Sequence, residues 1–117
     1  MAAVCRYGLR SGVALALVLL CSSTDGSMAW ARSTPAKHTV IMEGVQFSPQ
    51  DLIVKAGDTV TWVNRDPFPH TATADHGQFD SRAIEPGKSW TLIPKKAGSL
   101  SYGCTYHPTM KGTLRVE

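Results

Sequence analysis

The chain has 117 residues, of which 18% are charged, and its formal net charge is +3 at pH 7. It contains no run of basic residues, and its only adjacent basic pair, Lys95 and Lys96, is typical of a solvated turn. The composition therefore argues against a protein that mainly binds nucleic acid, and no nucleic-acid partner is expected.

The first 31 residues have the pattern of a secretory signal peptide. Arg6 and Arg10 precede a short apolar run, and Ala29-Trp30-Ala31 has the form of a cleavage site. The run is shorter than the roughly 20 apolar residues that span a membrane, so stable membrane insertion is not expected and a retained anchor is the lesser alternative. A lipid on Cys21 is disfavoured because a large residue precedes it. We predict a signal peptide over 1–31 and export to the periplasm.

After this leader, the sequence predicts a flexible lead-in over residues 32–37 and one all-β domain over residues 38–117. Short β-rich segments alternate with Gly, Pro and Asp, and helical periodicity is hard to find. This spacing of turns is typical of a β-sandwich or barrel. The predicted strands are 38–42, 52–55, 59–64, 89–94, 99–104 and 112–117.

The alternation of side chains predicts which residues meet inside the domain. Asn64 shares a face of its strand with Trp62, and Cys104 shares one with Tyr102. If these faces point inward, the loop that carries His70 leaves from the same end as the loop after Cys104, so the two loops can meet. The residues expected in the core are Met42, Trp62, Phe79, Trp90 and Tyr102, whereas His38 and His76 are expected at the surface.

Removal of the leader would leave Cys104 as the only cysteine. Small exported domains usually pair their cysteines in disulfides. A lone cysteine is therefore an inert core residue, a reactive thiol, an intermolecular link or a metal ligand.

The neighbours of Cys104 favour a metal ligand. His107 and Met110 follow it at intervals of three, and His70 offers a second imidazole. Each of these residues alone is more often core or surface, but together a thiolate, two imidazoles and a thioether form a blue-copper donor set. Zinc rarely takes Met, haem attachment needs C-x-x-C-H, and iron–sulfur clusters need several cysteines. We predict one copper ion held by His70, Cys104, His107 and Met110.

Four segments resemble the cupredoxins, the small blue-copper proteins, and most closely their amicyanin and plastocyanin branch. They are AGDTVTWVNRDPFPHTAT, DHGQFDS, PGKSWTLIPKKAGSLSYGC and CTYHPTMKGTLRVE, and they cover nearly all of residues 38–117. The resemblance implies a cupredoxin-like Greek-key β-sandwich or barrel. It also implies a type I copper protein, not an enzyme, that cycles between Cu(I) and Cu(II) as it carries electrons between redox partners.

Carried over position by position, the resemblance gives His70 and His107 as the two histidine ligands, Cys104 as the thiolate and Met110 as the axial ligand. The short C-x-x-H-x-x-M loop is similar to that of amicyanin, whereas plastocyanin has a longer gap before the Met. Asn64 resembles the asparagine that braces the copper site in this family.

The resemblance also places the backbone N–H of Thr71 near the Cys104 sulfur. Two positions depart from the amicyanin pattern: Thr71 stands where amicyanin has Asn, and Tyr106 stands where it has Pro. Both departures leave the ligand set intact. Both weaken the inference that this protein shares the partner of amicyanin, a methylamine-oxidising dehydrogenase.

By the same resemblance, an apolar patch surrounds the exposed edge of His107, and redox proteins dock there transiently on a monomer. A charged rim would steer these encounters. The predicted patch residues are Phe68, Pro69, Tyr106 and Pro108, and the predicted rim residues are Arg65, Asp66, Asp75 and Lys111.

Two other functions stay open on the sequence. The same ligands could serve a periplasmic copper-binding or delivery protein, although such sites are often more exposed and rich in Met. Cys104 could instead be the nucleophile of an enzyme with His70 or His107 as its base, although so short a chain leaves little room for a substrate cleft.

Overall fold

A computed structural model of the chain describes Gly26 and residues 33–117. Apart from Gly26, the predicted signal peptide lies outside the described residues, together with its cysteines. Within the described part, no helix is long and apolar enough to cross a membrane. The structure there consists of strands and loops. The strands are β1 (Lys37–Met42), β2 (Phe47–Ser48), β3 (Asp51–Val54), β4 (Thr59–Asn64), β5 (Thr73–Ala74), β6 (Ser89–Leu92), β7 (Gly98–Gly103) and β8 (Lys111–Val116).

The strands form two four-stranded sheets, which confirms the predicted all-β sandwich. One sheet has the order β2-β1-β4-β6 and the other has the order β3-β8-β7-β5. The pairs β1–β4 and β3–β8 are parallel, and the remaining pairs are antiparallel. Parallel neighbours cannot be joined by a tight hairpin, so the chain crosses repeatedly between the two sheets.

The six predicted strands are all present, with small shifts at their ends. β1 begins at Lys37, one residue before the predicted boundary. The lead-in is also held at its end, because the Ala36 N–H donates to Asp58 Oδ1 at 2.9 Å and its carbonyl accepts the Thr59 N–H. The strands β2 and β5 were not predicted, since two residues carry no readable alternation.

The inward faces of both sheets meet in an aromatic core. Trp62 is fully buried, and its ring centroid lies between 5.6 and 5.7 Å from those of Phe79, Trp90 and Tyr102. Met42, Phe79 and Tyr102 are buried as predicted, whereas Trp90 is only partly buried because it lies on the edge strand β6. This rigid core anchors β4 and β7, the strands that lead into the candidate site.

Candidate metal centre

Two loops carry the predicted site residues. The first follows β4 and presents His70, which is fixed by a pair of backbone hydrogen bonds with Ile84: the His70 N–H donates at 3.2 Å and the Ile84 N–H donates back at 2.7 Å. The second loop joins β7 to β8 and carries Cys104, His107 and Met110. The two loops meet although 34 residues separate His70 from Cys104.

Three donor atoms converge where these loops meet. Nδ1 of His70 and Nδ1 of His107 each lie 3.7 Å from Sγ of Cys104, and all three atoms lie within 4.8 Å of one another. His70 is 0% exposed, Cys104 is 4% exposed and His107 is half-buried. Among these three donors, His107 is therefore the one that reaches solvent.

Met110 completes the second loop and is 1% exposed. Its N–H donates to the His107 carbonyl at 2.9 Å, and its carbonyl accepts the Cys104 N–H at 3.1 Å. These bonds close the loop tightly around its three predicted ligands. The assignment of the Met110 sulfur as a ligand stays a prediction.

Asn64 braces the loop that follows β4, as the resemblance implied. Its side-chain amide donates to the carbonyls of Phe68 and Ile84, both at 2.8 Å, and its Oδ1 accepts the Asp66 N–H at 2.9 Å. Because Asn64 is fully buried, these contacts satisfy polar groups that water cannot reach.

Thr71 links the two loops. Its backbone N–H donates to Cys104 Sγ at 3.3 Å, which confirms the expected contact. Its hydroxyl also accepts the Thr105 N–H at 2.9 Å. This second contact was not predicted, because the resemblance placed only the backbone N–H of Thr71 and assigned no partner to its hydroxyl.

The placement of Asp66 on an exposed rim was wrong. Asp66 is only 7% exposed, and its Oδ2 accepts a hydrogen bond from Nε2 of His70 at 2.7 Å. Burial opposes ionisation of this carboxyl, but hydrogen bonds from His70, Val45 and Gly44 outweigh burial and hold the pKa of Asp66 below its usual value. The two backbone partners could not be read from the sequence, because Gly44 and Val45 lie 22 and 21 residues before Asp66.

The other predicted rim residues lie at the surface. Arg65 is exposed, and Lys111 Nζ lies 3.8 Å from an oxygen of Asp75. A pair this long and this exposed adds little stability.

Apolar side chains lie beside the open edge of His107. The Phe68 ring centroid lies 5.4 Å from that of His107 and 5.2 Å from that of His70. Phe68 is 37% exposed and Tyr106 is 52% exposed. We call this surface the His107 patch; it consists of Phe68, Pro69, Tyr106 and Pro108.

The two remaining histidines lie away from this cluster. His76 is exposed, as predicted. His38 is half-buried rather than a simple surface residue, because its Nε2 donates to Asp58 Oδ2 at 2.9 Å. This contact was not predicted, because Asp58 lies on a turn 20 residues further along the chain.

The types of donor atom at the site indicate which metal it would bind. Two imidazole nitrogens face one thiol sulfur, Cys104 forms no disulfide within the described residues, and Met110, the predicted fourth ligand, lies on the same loop as Cys104. One thiolate with two imidazoles and a thioether suits copper in either oxidation state and suits zinc poorly. The residues present therefore fit a mononuclear copper ion.

Comparisons with known proteins agree with this site. The family described as the cupredoxin-like domain matches residues 12–116. Amicyanin from Paracoccus denitrificans is 35% identical over 99 residues, with 80% of this chain and 76% of that protein covered. Plastocyanin from Scenedesmus fuscus is 36% identical over 84 residues, with 61% and 86% covered. The structure of a Cu-containing nitrite reductase from Thermus scotoductus SA-01 is similar with a TM-score of 0.65 at 32% identity, covering 72% of this chain and 22% of that longer one.

Proposed function

The chain belongs to the cupredoxin family, and from that premise we propose that it is a type I copper protein that carries single electrons between redox partners. The observation that carries this proposal is the approach of Nδ1 of His70 and Nδ1 of His107 to Sγ of Cys104, each at 3.7 Å. Two imidazoles and one thiol, with a Met on the same short loop, are the donors of such a site.

In this proposal, His70, Cys104 and His107 would hold the ion, and Met110 would supply a weaker fourth ligand. The copper, when bound, supplies a one-electron couple between Cu(I) and Cu(II). The protein contributes a rigid frame, because Asn64 braces one ligand loop and the Met110 backbone closes the other. A frame that changes little between oxidation states lowers the reorganisation that each electron transfer requires.

We place the docking of partners at the His107 patch. His107 is the predicted ligand that reaches the surface, and the exposed rings of Phe68 and Tyr106 offer apolar area beside it. A small apolar contact allows the brief encounters that an electron carrier needs. The partners would be redox proteins, and the carrier would act as a monomer in the periplasm after its signal peptide is removed.

Two alternatives fit the geometry less well. A copper-delivery protein needs ligands that an acceptor can reach, whereas Cys104 and Met110 are buried. A Cys–His enzyme needs a thiolate open to substrate, whereas Cys104 is 4% exposed and its sulfur accepts the Thr71 N–H. We therefore propose an electron carrier and not an enzyme.

The visible spectrum after addition of Cu(II) tests the proposal, with Cys104→Ser as the control. We expect an intense blue band from charge transfer between thiolate and copper, absent from the control. A pale spectrum in the wild-type protein would contradict the proposal and favour copper delivery or thiol chemistry instead. Retention of an intense band in the control would show that Cys104 is not the thiolate.

A further inference from the structure

We propose that Asp66 is a positioning residue for the copper site: its carboxylate fixes the His70 ring through a hydrogen bond, and its negative charge lowers the reduction potential of the bound copper. The inference rests on the proposed function, because it concerns the same site. It assigns a role to a side chain that does not itself reach the metal.

Three N–H groups surround the Asp66 carboxylate. Its Oδ1 accepts the Gly44 N–H at 2.8 Å, and its Oδ2 accepts both the Val45 N–H at 2.9 Å and Nε2 of His70 at 2.7 Å. Asp66 is 7% exposed and His70 is 0% exposed, so water contributes little screening. An ionised carboxylate is an acceptor only, and this ring of donors matches that form.

The turn between β1 and β2 is shaped to hold this carboxylate. Gly44 and Val45 both have positive φ, at 63° and 58°. Left-handed backbone is unusual for a β-branched residue, and such strain persists only where its surroundings compensate. Here it turns two successive N–H groups toward one anion, which is the compensating interaction.

The hydrogen bond also selects the form of His70 that can bind a metal. Because Nε2 donates to Asp66, Nδ1 keeps its lone pair, and Nδ1 is the atom that lies 3.7 Å from Cys104 Sγ. A carboxylate on the far nitrogen fixes the tautomer and orientation of a ligand histidine and makes it a stronger donor. A stronger donor and a nearby negative charge both favour Cu(II) over Cu(I), which lowers the potential.

The chain contains a matched control at the other end of β4. Asp58 precedes this strand and is 6% exposed. It accepts Nε2 of His38 at 2.9 Å and the backbone N–H groups of Ala36 and Lys55 at 2.9 and 3.0 Å. It therefore repeats the chemistry of Asp66, with one histidine and two backbone donors, but its histidine is not a predicted ligand.

The test compares the wild-type protein with Asp66→Asn and Asp58→Asn, measuring the reduction potential and the affinities for Cu(II) and Cu(I). Loss of the partner of a ligand histidine commonly weakens metal binding at least tenfold. We expect Asp66→Asn to weaken Cu(II) binding about tenfold more than Cu(I) binding, which raises the potential of a one-electron couple by about 59 mV. Asp58→Asn should keep the wild-type potential.

A second readout does not depend on bound copper. In the copper-free wild-type protein, ¹⁵N NMR should show His70 with its proton on Nε2, slow to exchange with water. A proton on Nδ1 instead would overturn the inference even if Asp66→Asn failed to fold.

The remaining outcomes separate this inference from the function on which it rests. If the wild-type protein gives the blue band but Asp66→Asn keeps the wild-type potential, Asp66 only supports the fold and the inference is overturned. The same holds if Asp58→Asn shifts the potential as much as Asp66→Asn does. If the wild-type protein gives no blue band, the proposed function fails, and this inference fails with it.

Discussion

Thr71 shows how one residue connects the two ligand loops. Its backbone N–H reaches the Cys104 sulfur, and its hydroxyl, 2.9 Å from the Thr105 N–H, ties down the residue that follows Cys104. The two contacts come from different parts of the residue. A substitution can therefore remove the hydroxyl contact and leave the N–H contact in place.

Thr71→Val should lower the free energy of unfolding of the copper-free protein by about 1–2 kcal/mol, because the Thr105 N–H loses its acceptor. The blue band should persist, since the backbone N–H to the sulfur remains. Urea unfolding and the visible spectrum measure the two effects. Thr109→Val, at an exposed position of the same loop, is the control and should change neither. Loss of the blue band in Thr71→Val would show that the hydroxyl is needed for the site itself.

At Gly112, the neighbouring atoms leave no room for a side chain. A Cβ at this position would lie 2.7 Å from both Cζ and the hydroxyl of Tyr102, and 3.0 Å from the Gln50 carbonyl. Tyr102 is 1% exposed, and its hydroxyl has no hydrogen-bond partner among the described residues. The ring thus has little room to move away from an added methyl group.

Gly112→Ala should destabilise the protein by about 1–3 kcal/mol, as overpacking does in a dense core. Tyr102→Phe should change stability little, because the hydroxyl it removes is unpartnered. The double variant should recover part of the loss, since it deletes one of the clashing atoms. Urea denaturation of the three variants measures this coupling. Equal losses with and without the hydroxyl would place the clash at the ring or at Gln50 instead.

The start of β1 depends on the turn before β4. The Asp58 carboxylate accepts hydrogen bonds from the N–H groups of Ala36 and Lys55 and from Nε2 of His38. One carboxylate therefore connects the start of β1 to its parallel neighbour β4. The hydrogen bond from His38, followed by those from the two backbone groups, lowers the pKa of Asp58 to about 2. The folded state therefore favours the ionised carboxylate more than the unfolded chain does.

This shift predicts an acid-dependent loss of stability. The stabilisation is present above pH 3.8, the value for the unfolded carboxyl, and is lost as the pH falls toward about 2. Asp58→Asn removes this contribution, so its free energy of unfolding should fall less steeply over that interval. Urea unfolding of both copper-free proteins at several pH values between 5 and 2 checks this. Parallel pH dependences would show that Asp58 is not responsible.

The sequence predicts the longer strands well but does not predict the contacts made by the turns between them. Alternation predicted the six longer strands, because a half-buried strand must repeat every second residue. It also placed Asn64 and Cys104 at the ends of inward faces, and both are buried. Asp66 could not be placed, because it is buried against the N–H groups of Gly44 and Val45, on a turn that the parallel pairing of β1 with β4 brings close.

In the domain of residues 33–117, the candidate site opens beside the His107 patch. Phe68 and Tyr106 are among the large apolar residues most exposed in this part of the chain, and both lie on loops that carry predicted ligands. Another exposed apolar residue, Ile93, is 49% exposed and follows β6 outside those loops. A substitution in the His107 patch can therefore be compared with one at Ile93, to test whether electrons leave the molecule through the patch.

Electron self-exchange between the Cu(I) and Cu(II) forms tests the patch without knowledge of the natural partner. Two copies that exchange an electron through His107 must bring their patches together. Tyr106→Glu places like charges opposite one another in that encounter, so the rate should fall roughly tenfold or more at low salt and recover as salt screens the repulsion. Line broadening in NMR spectra of mixed oxidation states measures the rate.

The control for this experiment is Ile93→Glu, which adds the same charge at a similarly exposed apolar position. Because both variants change the net charge equally, any difference between them reports where the charge lies and not how large it is. Ile93→Glu should stay close to the wild-type rate at every salt concentration. Equal slowing by the two variants would mean that the rate does not depend on which of these positions carries the charge, and electron transfer would then not be confined to the His107 patch.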